Sequence, residues 1–73
     1  MQISTRNRLS GTITEIVKGE AAAKVTVQVG DNKVTALITR ESCDELGLAV
    51  GQETTALIKA TDVMLLAEGG QLA

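Results

Sequence analysis

Apolar residues recur at every second position through much of this chain, and Gly or short polar runs interrupt them, so the pattern predicts short strands in place of long helices. Leu9, Gly11 and Ile13 share one face of a first strand that ends near Ile16 and Val17, with Lys18-Gly19-Glu20 as the following turn. Val25, Val27 and Val29 alternate with Thr26 and Gln28, the pattern of a strand buried on one side. Gly30-Asp31-Asn32 tolerates positive φ and leads into Val34, Ala36 and Ile38, which predicts a hairpin and a third strand. One short helix is expected next. Thr39 can cap Arg40 to Leu46, Glu41 lies in the first turn, and Gly47 is placed to end it. A helix this short does not persist without packing, so it reads as a plug against one end of a barrel. After a turn at Ala49-Val50-Gly51-Gln52, Thr54, Ala56 and Ile58 mark a fourth strand and Val63 to Ala67 a fifth.

Five strands with a helix between the third and fourth match the order of a small OB-like barrel, an all-β fold. The fifth strand departs from the alternating pattern. Val63-Met64-Leu65-Leu66-Ala67 is apolar on both faces, whereas a barrel strand with its outer face in water should alternate, so another subunit is expected to cover it. Composition points the same way. With 73 residues the chain is near the lower limit for a domain that stands alone, and its aromatic content is 0%, so Val, Ile, Leu, Ala and Met must build the core. One Cys and no His leave neither an intrachain disulfide nor a Cys/His metal cluster as a staple, which makes oligomerisation the natural remedy. A lone thiol, with no signal-peptide pattern and no stretch apolar enough to cross a membrane, leads to the expectation of a cytoplasmic protein.

Charge and residue types narrow the chemistry. Seven Lys and Arg against nine Asp and Glu give a net charge of -2, without the basic stripe of a phosphate-neutralising domain. No Phe, Tyr or Trp is present on which a base could stack, so no nucleic-acid partner is expected. Catalysis is not expected either. There is no His, Cys43 falls inside the predicted helix as a small buried thiol, Asp44-Glu45 read as solvated charge, and Asp31 reads as a turn former.

The two ends carry the candidate chemistry. Ser4-Thr5-Arg6-Asn7 and Lys59-Ala60-Thr61-Asp62-Val63 each supply one positive charge with hydroxyl groups and strand-terminal N–H groups, the donor-only lining that a tetrahedral oxyanion requires. Neither half suffices alone, so folding or pairing of two copies must bring them together. The plainer reading makes Ser4 to Asn7 a strand entry, Lys59 a lysine with its stem along apolar neighbours, and Thr61-Asp62 a turn or bulge.

Ile3-Ser4-Thr5-Arg6-Asn7 with Leu9, Gly11, Leu46-Gly47 and Ile58-Lys59-Ala60-Thr61-Asp62-Val63-Met64 closely resembles the molbindins, the stand-alone Mop-type members of the TOBE (transport-associated OB) domain family. The resemblance runs from Met1 to about Ala67 and so implies one oxyanion-binding domain over 1–67, followed by a flexible tail over 68–73. It implies a cytoplasmic protein, without a cofactor, that binds molybdate, and usually tungstate, as an intact oxyanion for storage or homeostasis. It also implies a homo-hexamer, a trimer of dimers, with anion sites between subunits. Carried across by motif position, one site draws on Ser4, Thr5, Arg6 and Asn7 of one chain and on Lys59, Ala60 and Thr61 of a partner. A second lies on the loop after the first strand, at Gly19, Glu20, Ala21, Ala22 and Ala23. The alternative is an assembly or regulatory module in which anion binding is incidental.

Overall fold

Strand β1 (Asn7–Lys18) is the spine of the molecule. The structure is a computed structural model that describes residues 7–73. Along its first half β1 pairs antiparallel with β4 (Glu53–Ile58), from Asn7 opposite Ile58 to Thr12 opposite Glu53. Along its second half it pairs with β2 (Ala22–Val29), from Thr12 opposite Gln28 to Lys18 opposite Ala23. β2 in turn pairs with β3 (Asn32–Thr39), which gives one antiparallel sheet of order β3-β2-β1-β4.

Local chemistry explains how one strand serves two partners. The register shifts between Ile13 and Glu15, so Thr14 forms a bulge, and bulges bend a strand and increase its twist. Ile13 and Ile16 therefore both face inward although they stand three residues apart. Just before the bulge the backbone at Gly11 passes so close to β2 that a Cβ there would collide with the Gln28 carbonyl oxygen and stand 2.9 Å from Val27 Cγ1. Only glycine allows that approach. The β2–β3 hairpin closes on two residues, Gly30 and Asp31, with Gly30 at φ +58° and Asp31 at negative φ, as a type II′ turn requires.

Helix α1 (Arg40–Glu45) lies between β3 and β4, as its sequence predicts. The Thr39 hydroxyl accepts from the Ser42 amide at 3.0 Å. At the other end Gly47, φ +62°, donates to the Asp44 carbonyl and Leu48 donates to the Cys43 carbonyl, a Schellman ending. The helix packs against β2 and β3 and buries Cys43 to 1% exposure. Ile13, Ala23, Val25 and Val27 complete the fully buried set, with Ile16, Val29, Ile38 and Leu48 packed around it. This core is small, and much apolar surface lies outside it. Leu37 on β3 is 76% exposed and Leu46, Val50 and Leu57 also face solvent.

The fold is therefore all-β with one short helix, and it corrects the expected strand count from five to four. Val63 to Ala67 join neither β3 nor β4. Val63 donates back to the Ala60 carbonyl, and the partners beyond it lie in the chain's own tail, where Leu65 exchanges hydrogen bonds with Ala73 and Ala67 donates to Gln71. The apolar run was a sound signal of extended backbone that needs cover, but period alone does not say which chain supplies the cover. As a result the sheet stays open between β3 and β4 in the described residues. No helix among those residues is long and apolar enough to cross a membrane.

Candidate functional site

The antiparallel pairing of β1 with β4 sets the geometry at the end of the sheet where β1 begins with Asn7 and β4 runs out into Lys59-Ala60-Thr61. Asn7 stands opposite Ile58, and its side-chain amide donates to the Ile58 carbonyl at 3.1 Å. Asn7 and Ile58 thus meet at one end of the sheet although they lie 51 residues apart in sequence, and Lys59 follows directly on Ile58. Ser4, Thr5 and Arg6 lie outside the described residues.

A 3₁₀ turn, Ala60–Asp62, shapes the C-terminal half of this cluster. Lys59 precedes the turn with extended backbone (φ -64°, ψ 138°). The turn's own hydrogen bonds are made by the amides of Asp62, to the Lys59 carbonyl at 2.9 Å, and of Val63, to the Ala60 carbonyl at 3.4 Å. It does not use the amides of Ala60 and Thr61, which as the first N–H groups of a helical turn are donors available to another acceptor. Lys59, Ala60 and Thr61 are all exposed. The Lys59-Ala60-Thr61 segment thus offers one ammonium, one hydroxyl and two amides directly after Ile58, whose carbonyl accepts from the Asn7 carboxamide. Such a set can hold an anion that accepts hydrogen bonds at every oxygen.

The loop after β1 is built differently. The Gly19 amide donates to the Ala22 carbonyl at 2.7 Å, and Ala22 and Ala23 already belong to β2, with Ala23 buried. Glu20 and Ala21 are the loop residues outside those bonds and outside the ladder. Beside them lies a depression bounded by Thr39, Arg40, Glu41, Asp44 and Glu45. Its cation Arg40 is committed, donating to Asp44 Oδ2 at 3.1 Å and to the Gly19 carbonyl at 3.1 Å, and Lys18 Nζ donates to Asp44 Oδ1 at 2.9 Å. Sequence reading missed this triad. The i,i+4 spacing of Arg40 and Asp44 was the available signal.

The hydrogen bond from Lys18, and then that from Arg40, holds the Asp44 carboxyl below its ordinary 3.8. A carboxylate with a lowered folded-state pKa contributes stability that is present above the unfolded value and lost as pH falls through the folded one. Melting curves of the wild type and Asp44→Asn should therefore differ at neutral pH and converge as the pH drops below about 4. All three groups are solvent-exposed, so the difference will be small and will shrink with added salt.

Among the described residues no cluster of His, Cys, Asp and Glu is grouped to hold a metal ion. A shallow slot over β1 and β4, lined by Ser10, Thr12, Glu53, Thr54 and Thr55, contains hydroxyl groups with a carboxylate and no cation.

The TOBE domain family model matches residues 3–65. The chain is 47% identical over 68 residues to molybdenum-pterin-binding protein 1 of Clostridium pasteurianum, covering 92% of this chain and all of that one. Among solved structures, a molybdate-binding protein from Sporomusa ovata superposes with a TM-score of 0.87 at 42% identity, over 92% of this chain and all of its own. The cytoplasmic molybdate-binding protein ModG, in a form with molybdate bound, superposes with a TM-score of 0.76 at 38% identity, over 82% of this chain and 43% of its own.

Proposed function

Because this chain belongs to the TOBE domain family, we propose that it binds molybdate as an intact oxyanion, without altering it chemically, at a site made from its two ends. The single observation that supports this reading is the exposed Lys59-Ala60-Thr61 turn, which follows directly on Ile58, the residue paired with Asn7; Ser4, Thr5 and Arg6, which precede Asn7 in sequence, are proposed to supply the other half. The names of the relatives support the choice of anion. Some of those names include pterin, but with no aromatic residue in the chain there is no ring on which a pterin could stack, and the inorganic anion is the better match.

Donor-only chemistry explains the selectivity. Molybdate, tungstate and sulfate are unprotonated at neutral pH and accept at every oxygen, whereas phosphate carries a proton part of the time and gains from an acceptor in the wall. Size then separates molybdate and tungstate from the smaller sulfate. The protein acts in the cytoplasm, in storage or homeostasis of the anion pool, and assembles as a homo-hexamer whose neighbouring copies complete each site. The Gly19 to Ala23 loop forms a second site, at which the amides of Glu20 and Ala21 are the donors.

An anion that binds only the assembled protein stabilises it by mass action, by about 2.7 kcal/mol per site at a hundredfold excess over the dissociation constant. Molybdate should therefore raise the melting temperature, and phosphate at equal ionic strength should not. Equilibrium dialysis against molybdate, with bound molybdenum quantified afterwards, tests the proposal directly. Equal uptake and equal thermal shifts with phosphate would refute selective binding.

A further inference from the structure

The peptide groups that follow Gly19, Glu20 and Ala21 carry the chain from β1 into β2, and Arg40 holds the first and the third of them. Its Nη1 donates to the Gly19 carbonyl at 3.1 Å, and its backbone amide donates to the Ala21 carbonyl at 3.0 Å. The Glu20–Ala21 peptide is suspended between these two anchors. The Gly19 amide also donates to the Ala22 carbonyl at 2.7 Å, which ties the base of the loop together. The guanidinium is itself fixed in place. Its Nε donates to Asp44 Oδ2 at 3.1 Å, and Lys18 Nζ donates to the other oxygen of the same carboxylate at 2.9 Å.

A trans peptide points its N–H opposite to its C=O. Because the Gly19 carbonyl faces the Arg40 guanidinium, the Glu20 amide of that same peptide faces away from it. That direction matters for charge. The depression on the α1 side of the loop is bounded by four carboxylates, Glu20, Glu41, Asp44 and Glu45, against the one guanidinium of Arg40, so it repels a dianion. An oxyanion at this loop has to approach from the other side, and that is the side to which Arg40 turns the Glu20 donor.

We propose that Arg40 is the positioning residue of the second oxyanion site: without touching the anion, it grips the loop by two carbonyls and so aims the loop's amide donors away from α1. The inference rests on the reading of the Gly19 to Ala23 loop as a site and adds the residue that shapes it. Arginine suits the task by its form. Nε and Nη1 serve two different acceptors, a carboxylate and a carbonyl, in fixed relative directions, whereas a lysine ammonium on a flexible stem keeps the charge without that geometry. Backbone donors depend on such support, because a short loop binds an ion well only when its peptides are already turned towards it.

The test follows amide resonances of the full-length, isotope-labelled protein during titration with molybdate, so that the two sites are read separately. In the wild type the Glu20 amide reports the loop and the Ala60 amide reports the terminal site, and both should shift to saturation. Arg40→Ala and Arg40→Lys should each raise the apparent dissociation constant at Glu20 by at least about tenfold and leave that at Ala60 unchanged. Recovery of the Glu20 response in Arg40→Lys would mean that charge alone suffices, which overturns the positioning role. Loss of both responses together would make Arg40 a support of the whole fold and overturns it as well. A wild-type titration that moves Ala60 and leaves Glu20 still would refute the loop as a site, and the role of Arg40 with it, while the terminal site stands.

Discussion

Lys59→Ala and Arg6→Ala are each expected to weaken molybdate binding by about 10- to 100-fold, corresponding to about 1.5 to 3 kcal/mol for a hydrogen bond to a charged group. Lys59 stands beyond the last pair of the β1–β4 ladder and is exposed, so its loss removes a cation without opening the core. The wild type and both variants should share the same circular dichroism and the same denaturation midpoint in the absence of anion. Calorimetric titration with molybdate then reads the difference. Unchanged affinity in both variants would return the terminal segments to a plain strand entry and a surface lysine. Lys59→Arg is the informative control. It keeps the charge but changes its shape, and so reports whether the pocket is sized for a compact ammonium group.

Gly11→Val should be the most destabilising substitution in the sheet, by about 3 kcal/mol or more. The new side chain would start from a Cβ already in collision with the Gln28 carbonyl, which is backbone held in the β1–β2 and β2–β3 ladders and cannot move aside. For a domain of this size that is a large part of the whole stability. Urea denaturation should show a much lower midpoint, or no folded baseline at all. A wild-type midpoint would mean that β1 lies farther from β2 at Gly11 than the structure places it.

The locally determined elements were legible in the sequence because their signals are local. The β2–β3 hairpin follows from Val25 to Val29, Val34 to Ile38 and the turn residues between them, and α1 follows from Thr39 and Gly47 at its ends. The bulge at Thr14 was less visible. Ile13 and Ile16 are three apart, a spacing that breaks a strand's period, and the clean alternation of the residues on either side masks it. Val63 to Ala67 went wrong for a deeper reason. Its pattern states a demand for burial, and burial can be met by the same chain or by another. At the candidate site, the character of Lys59, Ala60 and Thr61 could be read directly. Their approach to Asn7 depends on pairing the first strand with the last, which no local pattern encodes.

That long-range pairing also orders events in time. β1, β2 and β3 are joined by tight turns and can associate early, whereas the Asn7–Ile58 junction must close a loop of 51 residues and so forms late. The seam that assembles last also tends to open first during partial unfolding. An anion lodged at that seam would act as a clasp, slowing the escape of the terminal strand and lengthening the lifetime of the native molecule more than it hastens folding.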